Sequence, residues 1–195
     1  MKDKFVKKII MGKYKGQVLK LPSKQTTRSS KSIVLESFFN TIQFEIIDAN
    51  FVEVFSGSGS IGLEALSRGA KQIYFMEKDK DALKVLKENI SKTDANACEV
   101  FAGNSFINID AVVKNLKRKN EDVYFYIDPP FSCREGMEDI YDKMIELMAS
   151  LPKNVVKMII VEHMTGLELA TKIGDFNLMK SKKFGKTSLS YFKLD

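Results

Sequence analysis

Phe51-Val52-Glu53-Val54-Phe55-Ser56-Gly57-Ser58-Gly59-Ser60-Ile61-Gly62 is the stretch around which the rest of the chain is organised. Its first half, rich in Val and Phe, has the composition of a buried strand. The strand breaks into G-x-G-x-x-G at Gly57, Gly59 and Gly62. A helical pattern from Ile61 to Leu66 follows and is stopped by Gly69. Strand, glycine turn and helix N-terminus together let a ligand approach backbone N–H groups closely. Twenty residues beyond Gly57, at the end of Gln72-Ile73-Tyr74-Phe75-Met76, stands Glu77. A nucleotide-binding α/β unit puts its ribose-holding carboxylate at that spacing.

Outward from this stretch the pattern alternates helix and strand. Asp79 to Ile90 is an amphipathic helix, and Glu99 to Ala102 a third strand ending at Gly103-Asn104-Ser105. Val123 to Ile127 is a fourth strand ending at Asp128; Gly136 to Leu151 is helical and Val155 to Glu162 is a fifth strand. This order predicts an α/β fold with a doubly wound, mostly parallel sheet. Phe176 to Lys180 and Ser188 to Leu194, about the turn-rich Lys182 to Lys186, read as an antiparallel pair. Before the glycine stretch, residues 5–21 read as a β-hairpin around Gly12 and Gly16. Pro22 to Ser32 is polar, and Ile33 to Ile42 has helical spacing. Residues 1–48 are therefore expected to be a hairpin-and-helix extension, and 49–195 the main domain.

The 195 residues are 44% apolar and 29% charged, within the range of an ordinary globular domain. No apolar run nears the ~20 residues that span a bilayer, and the charged start has no signal-peptide core, so the chain reads as cytoplasmic. Cys98, Cys133 and the lone His163 have neither disulfide nor metal-ligand spacing; no metal is expected. The net charge of +6 is unevenly spread. Residues 1–33 hold ten Lys and Arg, among them Lys7, Lys8, Lys13 and Lys15, against Asp3 alone, so the remainder is mildly acidic. A basic arm of this kind suits a polyanion such as RNA; the simpler reading is a solvated tail.

The second constellation is Asp128-Pro129-Pro130-Phe131, directly after an apolar strand. Two prolines make a stiff turn with no N–H groups, leaving its carbonyls free to accept. With the Asp128 carboxylate and the Phe131 ring, these parts suit a planar amine on a heterocycle. Two acceptors fix the amine hydrogens, and the ring stacks on the base. Positioning of that kind assists an amine whose lone pair is delocalised. Taken alone, the motif could equally be a proline-rich strand terminus.

Phe51 to Gly69 with Glu77 and Asp128 to Phe131 resembles a class I S-adenosylmethionine-dependent methyltransferase of the exocyclic-amine type. The closest resemblance is to RsmD-type enzymes, which methylate N2 of a guanine in small-subunit (16S) ribosomal RNA. It extends over nearly the whole chain. Gly12-Lys13-Tyr14-Lys15-Gly16 is similar to the family's opening hairpin, and Arg28 to its arginine before the first helix. Gly62-Leu63-Glu64-Ala65-Leu66-Ser67-Arg68-Gly69-Ala70 is similar to its glycine-loop helix. The resemblance implies a Rossmann-like, seven-stranded sheet with an antiparallel C-terminal strand. It implies that Glu53, Phe55 and Gly57, Ser58, Gly59 and Gly62 meet the methionine part of the cofactor. Glu77 and Lys78 would lie at the ribose, Asn104 and Ser105 at the adenine, Arg28 at RNA. The partner would be ribosomal RNA or a small-subunit assembly particle, met by a monomer. Glu53 and Asn104 stand where the family usually has Asp, and Ser29 where it has Pro.

Other assignments use some of the same parts. A nicotinamide dehydrogenase shares the glycine loop but leaves Asp128 to Phe131 without a role. A methyltransferase for adenine N6 or a protein glutamine would use both motifs. A non-catalytic RNA-binding assembly factor would need neither Glu77 nor Asp128.

Overall fold

The computed structural model describes residues 6–22, 32–130 and 139–195. Arg28, Phe131, Cys133 and the first residues of the helix expected from Gly136 lie outside the described residues. In chain order the strands and helices are β1 (Val6–Lys8), β2 (Val18–Lys20), α1 (Ser32–Thr41), β3 (Asn50–Glu53), α2 (Ser60–Ser67), β4 (Gln72–Glu77), α3 (Lys80–Ile90), β5 (Cys98–Ala102), α4 (Ser105–Lys119), β6 (Val123–Ile127), α5 (Ile140–Ser150), β7 (Val156–Met164), β8 (Lys172–Ile173), β9 (Phe176–Phe184) and β10 (Thr187–Lys193). β1 and β2 form an antiparallel pair, and the other eight strands a mixed sheet in the order β5-β4-β3-β6-β7-β10-β9-β8. The expected sheet had seven strands. The eighth, β8, is two residues long and pairs only at Lys172–Asn177 and Ile173–Phe176, too short to leave a periodic pattern.

The chain packs as two compact units, one ending at Asn108 and the other beginning at Ile109. In the first, β3 pairs in parallel with β4, and β4 with β5. All four residues of β3 are buried, as expected of a parallel strand covered on both faces. α1 buries Val34, Leu35, Phe38 and Phe39 along one stripe. α3 starts where Asp79 accepts from the Asp81 and Ala82 N–H groups, both at 2.9 Å, a capping carboxylate at the helix's positive end. α2 stops because Gly69 N–H bonds Leu66 O and Ala70 N–H bonds Ala65 O, a closure that turns the chain out of the helix.

The N-terminal hairpin is tied to α2 and α3 by side chains that are themselves buried. Glu64, 1% exposed, accepts from Ile10 N–H at 2.7 Å, Met11 N–H at 3.1 Å and Arg68 Nε at 2.7 Å. Ser67 Oγ accepts from Tyr14 N–H, and Lys13 N–H reaches Ser67 O at 2.7 Å. A Cβ on Gly12 would stand 1.7 Å from Ser67 O, so only glycine lets the turn come this close. Asn89, fully buried, accepts from Lys20 N–H and donates to Lys20 O and Ser58 O.

In the second unit, β6 pairs in parallel with β7, β10 runs antiparallel to β7, and β9 antiparallel to β10. β9 continues to Phe184, so Lys182 and Lys183 are strand residues and the turn is confined to Gly185 and Lys186. Helix α4 has no counterpart among the expected elements. Its buried apolar positions Ile109, Val112 and Leu116 recur at i, i+3 and i+7, the spacing of one helix face.

Replacing Glu64 by Ala would strand the buried Arg68 and two backbone N–H groups. The expected loss is about 3–5 kcal/mol of unfolding free energy, read by denaturant titration, with faster amide exchange at Ile10 and Met11. A loss under about 1 kcal/mol would mean that the buried Ile9 and Leu19 alone hold the hairpin.

Candidate active-site residues

The glycine turn is held open by two carboxylates. Glu53 ends β3 and is 3% exposed; its Oε2 accepts from Gly62 N–H at 2.9 Å, in the first turn of α2. The N-cap of α2 is Gly59, at φ 74°, with no side chain to cap the helix. Glu53 supplies the acceptor from below. Burial pushes its carboxyl up to about 8, against the pull of the Gly62 N–H and of Lys7. Close packing also dictates the glycines. A Cβ on Gly59 would come 2.3 Å from Leu86 Cδ1, and one on Gly62 2.5 Å from Phe75 Cε1.

Glu77, at the end of β4, accepts from Gly57 N–H at 2.7 Å through Oε2, and from Lys78 and Asp79 N–H at 2.8 Å through Oε1. A carboxylate has about four lone-pair sites, so three are engaged and Oε2 retains room for a hydroxyl donor. Ser56 joins the turn to β4: its N–H donates to Met76 O, and its Oγ accepts from Met76 N–H, each at 2.9 Å. Ser58 is buried and bonded through its carbonyl to Asn89.

Beyond β5, Asn104 Oδ1 accepts from Phe106 N–H at 3.1 Å, capping α4, and its side chain is exposed. Ser105 is buried and donates to Val54 O at 2.6 Å, which ties the start of α4 to the chain leaving β3. Phe55 packs edge-on against Phe106, ring centroids 5.7 Å apart. Glu53, Phe55, Gly57, Ser58, Gly59, Gly62, Glu77, Lys78, Asn104 and Ser105 therefore stand at or just past the carboxyl ends of three adjacent parallel strands. Ser56, Asn89 and Phe106 join them without having been expected. Ser56 stands just before the glycine pattern, and Asn89 sits at the far end of a helix, so neither carried a spacing signal.

In the second unit, Asp128 follows β6, whose five residues are all buried, and Pro129 is buried behind it. Register pairs Ile127 with Val161, which places Glu162 one step on, level with Asp128. Glu162 is buried and accepts from Tyr126 Oη at 2.5 Å. His163 is buried between Met164 O and Ser190 Oγ, and burial lowers its pKa, as expected of a structural imidazole. Burial pushes the Cys98 thiol up to about 12, well outside the reactive range. Among the described residues no cluster of three or more His, Cys, Asp or Glu is placed to hold a metal.

Of the basic residues expected to touch RNA, Lys8, Lys13 and Lys15 are exposed, and Lys13 Nζ lies 5.1 Å from the Tyr14 ring centroid. Lys7 turns inward, with Nζ 3.4 Å from Ser60 Oγ at the start of α2.

The sequence family described as Conserved hypothetical protein 95 matches residues 7–193. The chain belongs to this family, the RsmD-type methyltransferases. It is 27% identical over 186 residues to YlbH of Bacillus subtilis (strain 168), covering 95% of this chain and 98% of that one. It is 37% identical over 83 residues, 43% of each chain, to ribosomal RNA small subunit methyltransferase D of Haemophilus influenzae. The solved structure of the Escherichia coli protein yhhF superposes with a TM-score of 0.75 at 26% identity, over 97% of this chain and 99% of that one. The fold is that of the Rossmann-like class I methyltransferases.

Glu53 gives a pH test. Its carboxyl titrates near the ordinary 4.5 when unfolded and near 8 when folded. The stability this group contributes is therefore fully present below pH 4.5 and is lost as pH rises through 8, by at most about 5 kcal/mol. Ligand-free protein should lose unfolding free energy between pH 5 and 9, and Glu53→Gln should flatten that decline. Parallel profiles for the two proteins would show that Glu53 is ionised in the folded state throughout.

Proposed function

We propose that this protein transfers a methyl group from S-adenosylmethionine to the exocyclic N2 amine of a guanine in small-subunit ribosomal RNA. The observation that carries the proposal is Asp128-Pro129-Pro130 at the end of a fully buried strand, in a chain of this family. The name of the Haemophilus influenzae relative supports a ribosomal RNA substrate.

The first unit has the parts the cofactor needs. Glu53 is a buried acid for a cationic ligand, and Glu77 Oε2 retains capacity for a ribose hydroxyl. Asn104 has a free amide NH₂ to offer an adenine, and Phe106 offers a ring face. Bound there, S-adenosylmethionine supplies an electrophilic methyl on a sulfonium. Asp128 accepts one amine hydrogen of the base and a carbonyl of the proline pair accepts the other, which fixes where the lone pair points. Phe131, next in sequence, stacks on the base. A base inside a helix must first leave the stack, as enzymes acting on base atoms require. The amine becomes acidic only once methylated, so no strong general base is needed. Residues 1–48 supply phosphate contacts through Lys8, Lys13, Lys15 and Arg28, and the protein acts as a cytoplasmic monomer.

Incubation with labelled S-adenosylmethionine and ribosomal RNA or small-subunit particles, followed by nucleoside mass spectrometry, should yield N2-methylguanosine. Label in N6-methyladenosine or in protein glutamine would replace this reading with another amine substrate. Asp128→Ala should hold S-adenosylhomocysteine affinity within about twofold while methyl transfer falls at least about 100-fold. Glu77→Ala should do the reverse, weakening that affinity by about 10-fold or more, because it removes a hydroxyl acceptor and frees three turn N–H groups. Cofactor affinity lost in Asp128→Ala and kept in Glu77→Ala would invert the division of roles.

A further inference from the structure

Residues 172–193 contain six lysines and one acid, Asp175, a second basic concentration far from the N-terminal arm in sequence. The strand registers say where part of it lies. β7 runs parallel to β6, with Val161 opposite Ile127, so β7 reaches its carboxyl end on the side where β6 delivers Asp128. β10 runs back along β7 starting from Thr187 opposite Met164, and β9 arrives at Phe184 opposite Thr187. The β9–β10 turn therefore sits at the Asp128 end of these strands. Thr165 N–H donates to Lys186 O at 3.0 Å, fixing the turn to the chain that leaves β7.

Lys182, Lys183 and Lys186 are gathered at this end. Lys183 and Lys186 are exposed and Lys182 is half-buried. Adjacent strand residues point to opposite faces, so Lys182 and Lys183 make both faces of the rim basic. The acids on neighbouring strands at this end are Asp128 and Glu162, and Glu162 is buried against Tyr126 Oη. A simpler account exists for part of the cluster. β8 covers β9 only at Phe176 and Asn177, and among the described residues no strand pairs with its outer side from Met179 to Phe184. Lysines on such an edge discourage pairing with another chain. That accounts for Lys180, Lys182 and Lys183, but not for Lys186, which lies in the turn beyond the edge.

We propose that Lys182, Lys183 and Lys186 form a second phosphate-binding surface for the RNA substrate, on the Asp128 side of the sheet. The proposal rests on the RNA reading above. A substrate base delivered to Asp128 brings its flanking phosphates with it, and a basic rim at the same strand ends neutralises them. The arm holds RNA at large, and the rim holds the backbone next to the reacting nucleotide.

The test is binding of in vitro transcribed small-subunit ribosomal RNA at several salt concentrations, with light scattering and S-adenosylhomocysteine titration on the same samples. The proteins are wild type, the K182Q/K183Q/K186Q triple, the single Lys186→Glu and the K8Q/K13Q/K15Q arm triple. Each lost phosphate contact should flatten the log–log salt slope by about 0.7, so the rim triple should lose up to about 2. Lys186→Glu should weaken RNA binding without self-association, because it leaves the strand edge guarded, and neither rim variant should change cofactor affinity. Wild-type salt slopes in both rim variants would overturn the proposal, and self-association of the triple alongside such slopes would leave edge protection as the lysines' role. A wild type that neither binds nor methylates RNA would refute the RNA reading itself; rim variants that match a binding wild type refute only the rim.

Discussion

The structure of the first unit depends on carboxylates that hold backbone N–H groups a glycine turn cannot satisfy for itself. The turn after β3 presents N–H groups at Gly57 and at the start of α2, and the N-cap of α2, Gly59, has no side chain to cap them. Glu53 reaches Gly62 from beneath, and Glu77 reaches Gly57 from the next strand. Each acid thus has a structural partner before any ligand arrives. The turn is pre-shaped, and a ligand does not have to order it.

The same helix that begins at this turn carries the hairpin. Glu64 and Ser67 take up five polar groups of the first fifteen residues. Asn89 joins Lys20 on the hairpin to Ser58 in the glycine turn through a single amide. Residues 6–22 of the basic N-terminal segment are therefore not a tail. Their backbone is bound into the wall of the glycine site, while Lys8, Lys13 and Lys15 project outward. Asn89 thus links the hairpin backbone directly to the glycine turn.

What could be read from sequence follows from how local each signal is. β6 was legible because a parallel strand buried on both faces is an unbroken apolar run, and β3 because its Phe51 and Val52 lead straight into the glycine pattern. Gly57, Gly59, Gly62 and Glu77 were legible because their spacing is set by one strand–turn–helix–strand unit. Helix α4 was overlooked although Ile109, Val112 and Leu116 recur at the spacing of a helix face, because lysines and asparagines dilute the apolar pattern around them. β8 was hidden because two residues have no period. Ser56, Asn89 and Glu162 were missed for another reason: their partners lie 20 to 69 residues away in sequence, and nothing local marks them. The inward turn of Lys7 is equally non-local, since a basic run gives charge but not direction.

Glu53 is the residue whose chemistry says most about what the turn is for. Capping α2 from beneath requires only an acceptor, and an amide oxygen would serve without the penalty of burying an ionisable group. The carboxyl that stands there is held neutral by burial up to about 8. Such a group is poorly chosen for stability alone. It becomes favourable when a positive charge comes close enough to offset desolvation, as Lys7 does in part from the hairpin. A ligand carrying a fixed cation would complete that compensation and draw Glu53 to its ionised form. A neutral or anionic ligand at the same turn would leave the burial penalty uncompensated. The acid at the foot of the turn is thus better matched to a positive charge beside it than to a negative one.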